Sequence, residues 1–385
     1  MSDLEHTVAE LDRLVAFPTV STDSNREMSE TLRDDLAALG ARCHLFIDDG
    51  GAKANLFASL GPDVPGGVML SGHTDVVPVT DQEWSDHPFR LRREGERLFG
   101  RGTCDMKGFI AAAMVKARRF AEFPLKRPVH FAFTYDEETG CLGAQALIPE
   151  LAKRGLRPDI AIVGEPTEMR VIEGHKGCCE YTTRFTGLEG HGSDPDRGVN
   201  AAEYAARFVM RLLSLREELR GRAPAASRFE PPQTTLNIGR IAGGHAHNVI
   251  VGRAEVDWEF RPVQTDDYHH VRQVMEAYVE EELLPHMRAI CPDADISTET
   301  MGEITGLQPV PHNAARDLVA GLLGANGADV VPFGTEAGLF QNYGVDVVVC
   351  GPGSIRQAHK PDEYVELDQL DACLRMLDRL GERLI

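Results

Sequence analysis

The sequence predicts an α/β fold interrupted by a smaller α+β unit, and three observations lead there. Short apolar runs alternate with helical patterns over residues 1–179 and again over 286–385. Several of these runs end in His, Asp or Glu, as buried strands do when they deliver polar groups to a sheet edge. Between them, residues 180–285 read strand, helix, strand, strand, helix, which is enough for a domain of its own inserted into the first.

The composition narrows the class. The 385 residues are 42% apolar and 26% charged, as in an ordinary soluble globular protein with room for two domains. A formal charge of −20, from 40 Lys plus Arg against 60 Asp plus Glu, argues against nucleic acid and anionic membrane as partners. Eight cysteines form no C-x-x-C pair, and the acidic start Ser2-Asp3-Leu4-Glu5 is unlike a secretory signal. Reduced thiols and a cytoplasmic location are therefore expected, and no apolar run approaches the length of a membrane span.

In chain order, Leu4, Val8, Leu11 and Val15 fall at helical spacing behind a Ser2–Glu5 capping box. Met28, Leu32, Leu36 and Leu39 stripe a second helix that Gly40 stops. Residues 43–47 and 54–60 read as strands, and Val68-Met69-Leu70 is a third that ends by presenting His73 and Asp75. His-x-Asp at a strand end suits a metal ligand with a carboxylate to orient it, although a polar turn is the commoner reading of the tripeptide alone. Asp105 lies among three glycines just before an Ala-rich helix over 109–120, where it is either a ligand or a carboxylate near the helix N-terminus. The strand with Val129, Phe131 and Phe133 runs into Asp136-Glu137-Glu138, acids that repel one another unless cations neutralise them. The strand over 159–163 ends at Glu165.

Residues 181–186, 234–241 and 254–261 read as strands of the inserted unit, with helices over 200–220 and 266–284 and an Ala/Arg/Pro-rich linker over 221–232. The α/β rhythm then returns. A helix over 314–323 and an apolar strand over 345–350 precede His359, and a last helix covers 367–380.

His73, Asp105, Glu138, Glu165 and His359 thus supply two imidazoles and three carboxylates from five segments. One divalent cation would leave carboxylates unneutralised, whereas two cations sharing one carboxylate would balance them. Nitrogen and oxygen donors without thiolate favour zinc, with cobalt or manganese as alternatives. Glu137, beside a ligand and bonded to neither metal, suits proton transfer in a hydrolysis.

GHTDVVP, GRGTCDMKG, the Glu pair of DEETG, GEPT and AHKPDEY resemble, in order and spacing, the metal-site motifs of the aminoacylase/carboxypeptidase family of dinuclear zinc hydrolases. The resemblance covers essentially the whole chain. It implies a zinc-peptidase-like catalytic domain, with a mixed central sheet and helices on both faces, and an inserted lid and dimerisation domain. Residue by residue it implies Asp105 as bridging ligand, His73 and Glu165 on one metal, Glu138 and His359 on the other, Glu137 as general acid/base and Asp75 behind His73. GHGSDPDRGVN matches the family's lid loop, which implies a homodimer in which His191 reaches a neighbouring subunit's site and stabilises the tetrahedral oxyanion. Asn248, Arg261, Gly334 and Thr335 match substrate-binding positions; alone, Arg261 could as well be a surface residue. FGTEAGLFQ and VVCGPGSIRQAHKPDEY lie nearest the family's deacetylase branch. The implied reaction is hydrolysis of the acetamide of N2-acetyl-L-ornithine, a step of arginine biosynthesis, with desuccinylation or dipeptide cleavage as the alternative. A non-catalytic metal-binding relative is a further possibility, which the intact Glu137 opposes.

Overall fold

The computed structural model describes residues 2–385, which form two compact units. The first comprises the chain up to Gly174 with Pro309–Val330 and Thr335–Ile385, and the second comprises His175–Gln308 with Val331–Gly334.

The chain opens with helix α1 (Asp3–Val15), whose capping box closes as Ser2 Oγ accepts from the Glu5 N–H at 3.2 Å and Glu5 Oε2 accepts from the Ser2 N–H at 2.9 Å. Helix α2 (Arg26–Ala38) buries Met28, Leu32 and Leu36. Strands β1 (Arg42–Ile47), β2 (Ala54–Leu60) and β3 (Val68–His73) follow, then the short β4 (Arg92–Glu94) and β5 (Arg97–Phe99). Helix α3 (Lys107–Glu122) is buried along most of its length. Strand β6 (Val129–Thr134), helix α4 (Leu142–Lys153) and strands β7 (Ile160–Pro166) and β8 (Ile172–His175) complete this part. Helix α4 is not anticipated from the sequence, because Gly143 and Pro149 interrupt its pattern.

The second unit contains β9 (Cys178–Thr186), the two-residue β10 (Gly190–His191), α5 (Ala201–Arg220), β11 (Thr235–Gly243), β12 (Val249–Ile250) and β13 (Arg253–Arg261). Helix α6 (Thr265–Ala277) continues through a π-helical segment, Tyr278–Leu283, into α7 (Leu284–Arg288), and β14 (Asp295–Ile304) ends the unit. Four strands pair antiparallel in the order β11-β13-β9-β14. Along β13 every second residue is buried, so Ala254, Val256, Trp258 and Phe260 join Tyr181, Phe185 and the helix residues Phe208, Leu212 and Val271 in one core. This unit extends past the expected boundary at residue 285 because β14 pairs with β9 over Asp295–Ile304. Its sequence, DISTETMGEI, buries only Ile296 and so lacks the apolar alternation that marks a strand.

The return to the first unit adds α8 (Ala314–Leu323), β15 (Asp329–Val331), α9 (Ala337–Asn342), β16 (Asp346–Gly351), β17 (Tyr364–Glu366) and α10 (Leu367–Arg383). Eight strands form a mixed sheet in the order β1-β2-β6-β3-β7-β16-β8-β15, and β17, β5 and β4 form a smaller one. Helices cover both faces. Leu56, Leu70, Phe131, Ile162 and Val348 share a core with residues of α2, α3, α8 and α10. On the opposite face Asn55 Nδ2 donates at 2.9 Å to the Gly143 carbonyl at the start of α4.

Strands β6, β3, β7 and β16 are parallel neighbours, so their C-terminal ends open at the same sheet edge. Strands β2, β3 and β6 are buried throughout, as expected for strands covered on both sides. The approach of α3 to β7 requires Gly164, where an added Cβ would lie 2.0 Å from Phe109 Cγ. All eight cysteines are free, and no helix among the described residues is long and apolar enough to cross a membrane. Gly164→Ala is expected to destabilise the protein by about 1–3 kcal/mol through overpacking, read as a lower midpoint in thermal unfolding.

Candidate metal centre

The shared edge of the parallel strands gathers the groups singled out in the sequence. His73 is the last residue of β3, the turn after β6 carries Glu137 and Glu138, and Glu165 lies near the end of β7. Asp105 precedes α3, and His359 lies between β16 and β17. The turn after β6 separates its three acids. Asp136, at φ +51°, pairs with Lys53 Nζ at 2.5 Å, which leaves Glu137 and Glu138 for the centre. Asp75 fixes that turn: its carboxylate accepts from the N–H groups of Glu137 at 3.1 Å and Glu138 at 3.4 Å, and from the Ser21 hydroxyl at 2.7 Å. His73 Nδ1 meets the backbone carbonyl of Asp75 at 2.9 Å and its carboxylate only at 3.5 Å, so both parts of Asp75 orient the ring.

Asp105 sits between the imidazoles. Its Oδ1 is 2.9 Å from His73 Nε2 and its Oδ2 is 3.4 Å from His359 Nε2. His359 Nε2 also meets Glu138 at 3.0 Å, and His73 Nε2 lies 3.8 Å from Glu165 Oε1. Ligand atoms of His73, Asp105 and Glu138 lie within 4.8 Å of one another, as do those of His73, Glu137 and Glu165. His73, Asp105, Glu137 and Glu165 are buried, while the His359 side chain is 52% exposed.

The electrostatics express a demand for cations. Burial raises the pKa values of Glu137 and Glu165 well above the ordinary carboxylate range, and neighbouring carboxylates raise them further. Glu138 is raised for the same reasons. Burial would lower the His73 value, but Asp105, Asp75 and Glu165 reverse it and raise it well above normal. Hydrogen bonds to Asp105 and Glu138 raise His359 to about 10. Burial opposes ionisation of Asp105, yet the two imidazoles hold its pKa below the usual range. These shifts mark a place where a stronger positive charge would be favoured. Glu165 Oε1 is buried without a hydrogen-bond partner, an expensive state for a carboxylate oxygen unless something coordinates it. The four carboxylates Asp105, Glu137, Glu138 and Glu165, with two imidazoles and no thiolate, match the charge and donor type of two divalent cations.

Two further residues, not anticipated from sequence, stiffen the strand ends. Glu336 is buried and accepts from Ser71 Oγ on β3 at 2.6 Å and from Thr134 Oγ1 on β6 at 2.7 Å. Cys141 lies 3.5 Å from Glu137 Oε1, with its thiol held neutral by burial and by that carboxylate. Glu336 lies inside the FGTEAGLFQ stretch beside Thr335, but the resemblance gives it no role of its own, and Cys141 follows DEETG without belonging to it. Thr335 is buried, and its Oγ1 accepts from the Ala337 N–H at 3.1 Å.

Within the second unit, β10 and β12 pair His191 with Val249, and the Asn248 carbonyl accepts from the Gly192 N–H at 2.9 Å. His191 is exposed, and its Nδ1 accepts from the Ser193 N–H at 3.2 Å, which leaves Nε2 to carry the ring proton of the neutral form. Arg261 ends β13 with its guanidinium on Glu259 at 3.0 Å. An added Cβ on Gly334 would lie 3.1 Å from Ile304.

A model of the peptidase family M20/M25/M40 matches residues 69–383. An acetylornithine deacetylase of Pasteurella multocida (strain Pm70) is 34% identical over 375 residues, covering 95% of both chains. One of Shigella sonnei (strain Ss046) is 36% identical over 360 residues, covering 92% of this chain and 91% of that one. Among solved structures, an M20 family metallo-carboxypeptidase from Sulfolobus solfataricus superposes with a TM-score of 0.74 at 17% identity, over 98% of each chain.

The titration of His359 is open to measurement. Its pKa, about 10 against an ordinary 6.5, lends the cation-free protein stability that is complete below pH 6.5 and is lost as pH rises through about 10. Thermal unfolding of chelator-treated protein should show this decline, and His359→Gln should flatten it. Added zinc must displace these protons, so its stabilising shift should be larger at pH about 8 than at about 6.

Proposed function

Because this chain belongs to the peptidase family M20/M25/M40, we propose that it hydrolyses the acetamide of N2-acetyl-L-ornithine to L-ornithine and acetate. The observation that carries this reading is identity of 34–36% to two acetylornithine deacetylases over more than nine-tenths of this chain. The geometry of the centre supports a metal-dependent amidohydrolase. Two divalent cations, zinc in this reading, held by His73, Asp105, Glu138, Glu165 and His359 would supply Lewis-acid polarisation of the acyl oxygen and acidify a water.

The chain's own groups perform the proton transfers. Glu137 accepts a proton from water as the water oxygen attacks the acyl carbon, and returns it to the amine nitrogen as the C–N bond breaks. Its raised pKa suits a carboxylate that must give the proton back. Asp75 holds the Glu137 N–H and so fixes where that carboxyl stands. We assign Arg261 of the second unit to the substrate carboxylate, which its paired N–H groups suit, together with Asn248 and Gly334 of that unit and Thr335 of the first. His191 is assigned to the oxyanion through Nε2, acting on a neighbouring subunit of a homodimer held together by the second unit.

Three measurements test the reading. A substrate panel on zinc-loaded protein should favour acetylornithine over succinyl-diaminopimelate and simple dipeptides; preference for either of the latter would move the assignment within the family. Glu137→Gln should keep both metals while kcat falls by about 10²–10⁴-fold, and near-normal turnover would refute its role. A dimer is expected in solution mass measurement, and a strict monomer would remove the part given to His191.

A further inference from the structure

Behind the centre lies a connection that none of the metal ligands makes. Glu363 is buried and its carboxylate is fully used: Oε1 accepts from the N–H groups of Cys104 at 2.9 Å and Asp105 at 3.0 Å, and Oε2 from the Gly102 N–H at 3.0 Å and Arg101 Nη1 at 2.7 Å. Arg101, 1% exposed, extends the connection the other way. Its Nη2 donates to Gln82 Oε1 at 2.5 Å, and its Cζ lies 4.9 Å from the Trp84 ring centre. Gln82 Oε1 also accepts from Trp84 Nε1 at 3.1 Å, which fixes the amide so that Nε2 donates to the His359 carbonyl at 3.0 Å. His359 needs such a hold, because its φ of +63° is costly for a residue with a Cβ.

We infer that Gln82, Arg101 and Glu363 are positioning residues that set the spacing between Asp105 and His359, with the Arg101 guanidinium as the hub. The inference rests on the two-metal reading of the centre. One guanidinium grips the acceptor that anchors the Asp105 backbone, and through Gln82 it grips the backbone of His359. Since Asp105 faces both imidazoles and His359 faces only Asp105 and Glu138, the two arms differ in what they control. Loss of Gln82 should loosen the His359 side alone, whereas loss of the Glu363 carboxylate should loosen Asp105 and hence both metals.

The test is cobalt binding to the full-length protein, followed by chelator competition and by the cobalt absorption spectrum. His359→Asn serves as the reference for damage to one site. Gln82→Ala, at a half-buried position, should weaken one of the two cobalt ions by about 10–100-fold and change its spectrum, leaving the other in place, whereas Arg101→Met, which releases both arms, should weaken both. Glu363→Gln should weaken both ions and expose the Gly102, Cys104 and Asp105 amides to hydrogen exchange. Arg101→Lys, which keeps the charge but not the fork, should recover only part of the loss. Wild-type spectra and affinities in folded Gln82→Ala would overturn the inference even if Arg101→Met failed to fold. A wild-type protein that binds no cobalt would overturn the two-metal reading itself, and with it this inference.

Discussion

Four carboxylates crowded into a buried site repel one another, and most of the surrounding structure is arranged around that repulsion. Without cations the repulsion shows in the proton affinities, which are raised on His73, His359 and the three glutamates. The fold prevents an escape in which side chains turn out to water. His73 and Glu165 are fixed on strands covered on both faces, and Asp105 is held by its backbone. Only His359 keeps substantial exposure, which makes it the side from which the centre can open.

The parallel strands do the gathering. Because β6, β3, β7 and β16 run the same way, each ends at one edge, and a polar group there adds to the same local field. This arrangement needs close approach between layers, which Gly164 allows beneath Phe109. It also needs neutral or partnered groups between strand and centre. Glu336, bridging Ser71 and Thr134, ties the two central strands just below the residues they deliver.

Much of this was legible in the sequence because it is written in local patterns. Apolar runs ending in His73, Glu137–Glu138 and Glu165 place acids and imidazole at strand ends without knowledge of the topology, and the Ser2–Glu5 cap is a four-residue signal. The parts that were not legible depend on partners far along the chain. Asp75 reads as the orienter of His73, and only the folded chain shows that its carboxylate mainly holds the N–H groups of Glu137 and Glu138. The same holds for Lys53 on Asp136, and for β14, a polar strand whose only recommendation is its pairing with β9.

The second unit is spliced between β8 and α8, and this divides the site in time as well as in sequence. The Asp105 N–H and its acceptor on Glu363 are 258 residues apart. At about 5–20 residues per second of synthesis, the loop bearing Asp105 waits roughly 13 to 52 s for its anchor. During that interval His73, Glu137, Glu138 and Glu165 have all been made, but the loop that would seat their shared neighbour is unanchored. Completion of the metal centre is therefore among the last events in the making of the chain, after the inserted unit has had time to fold.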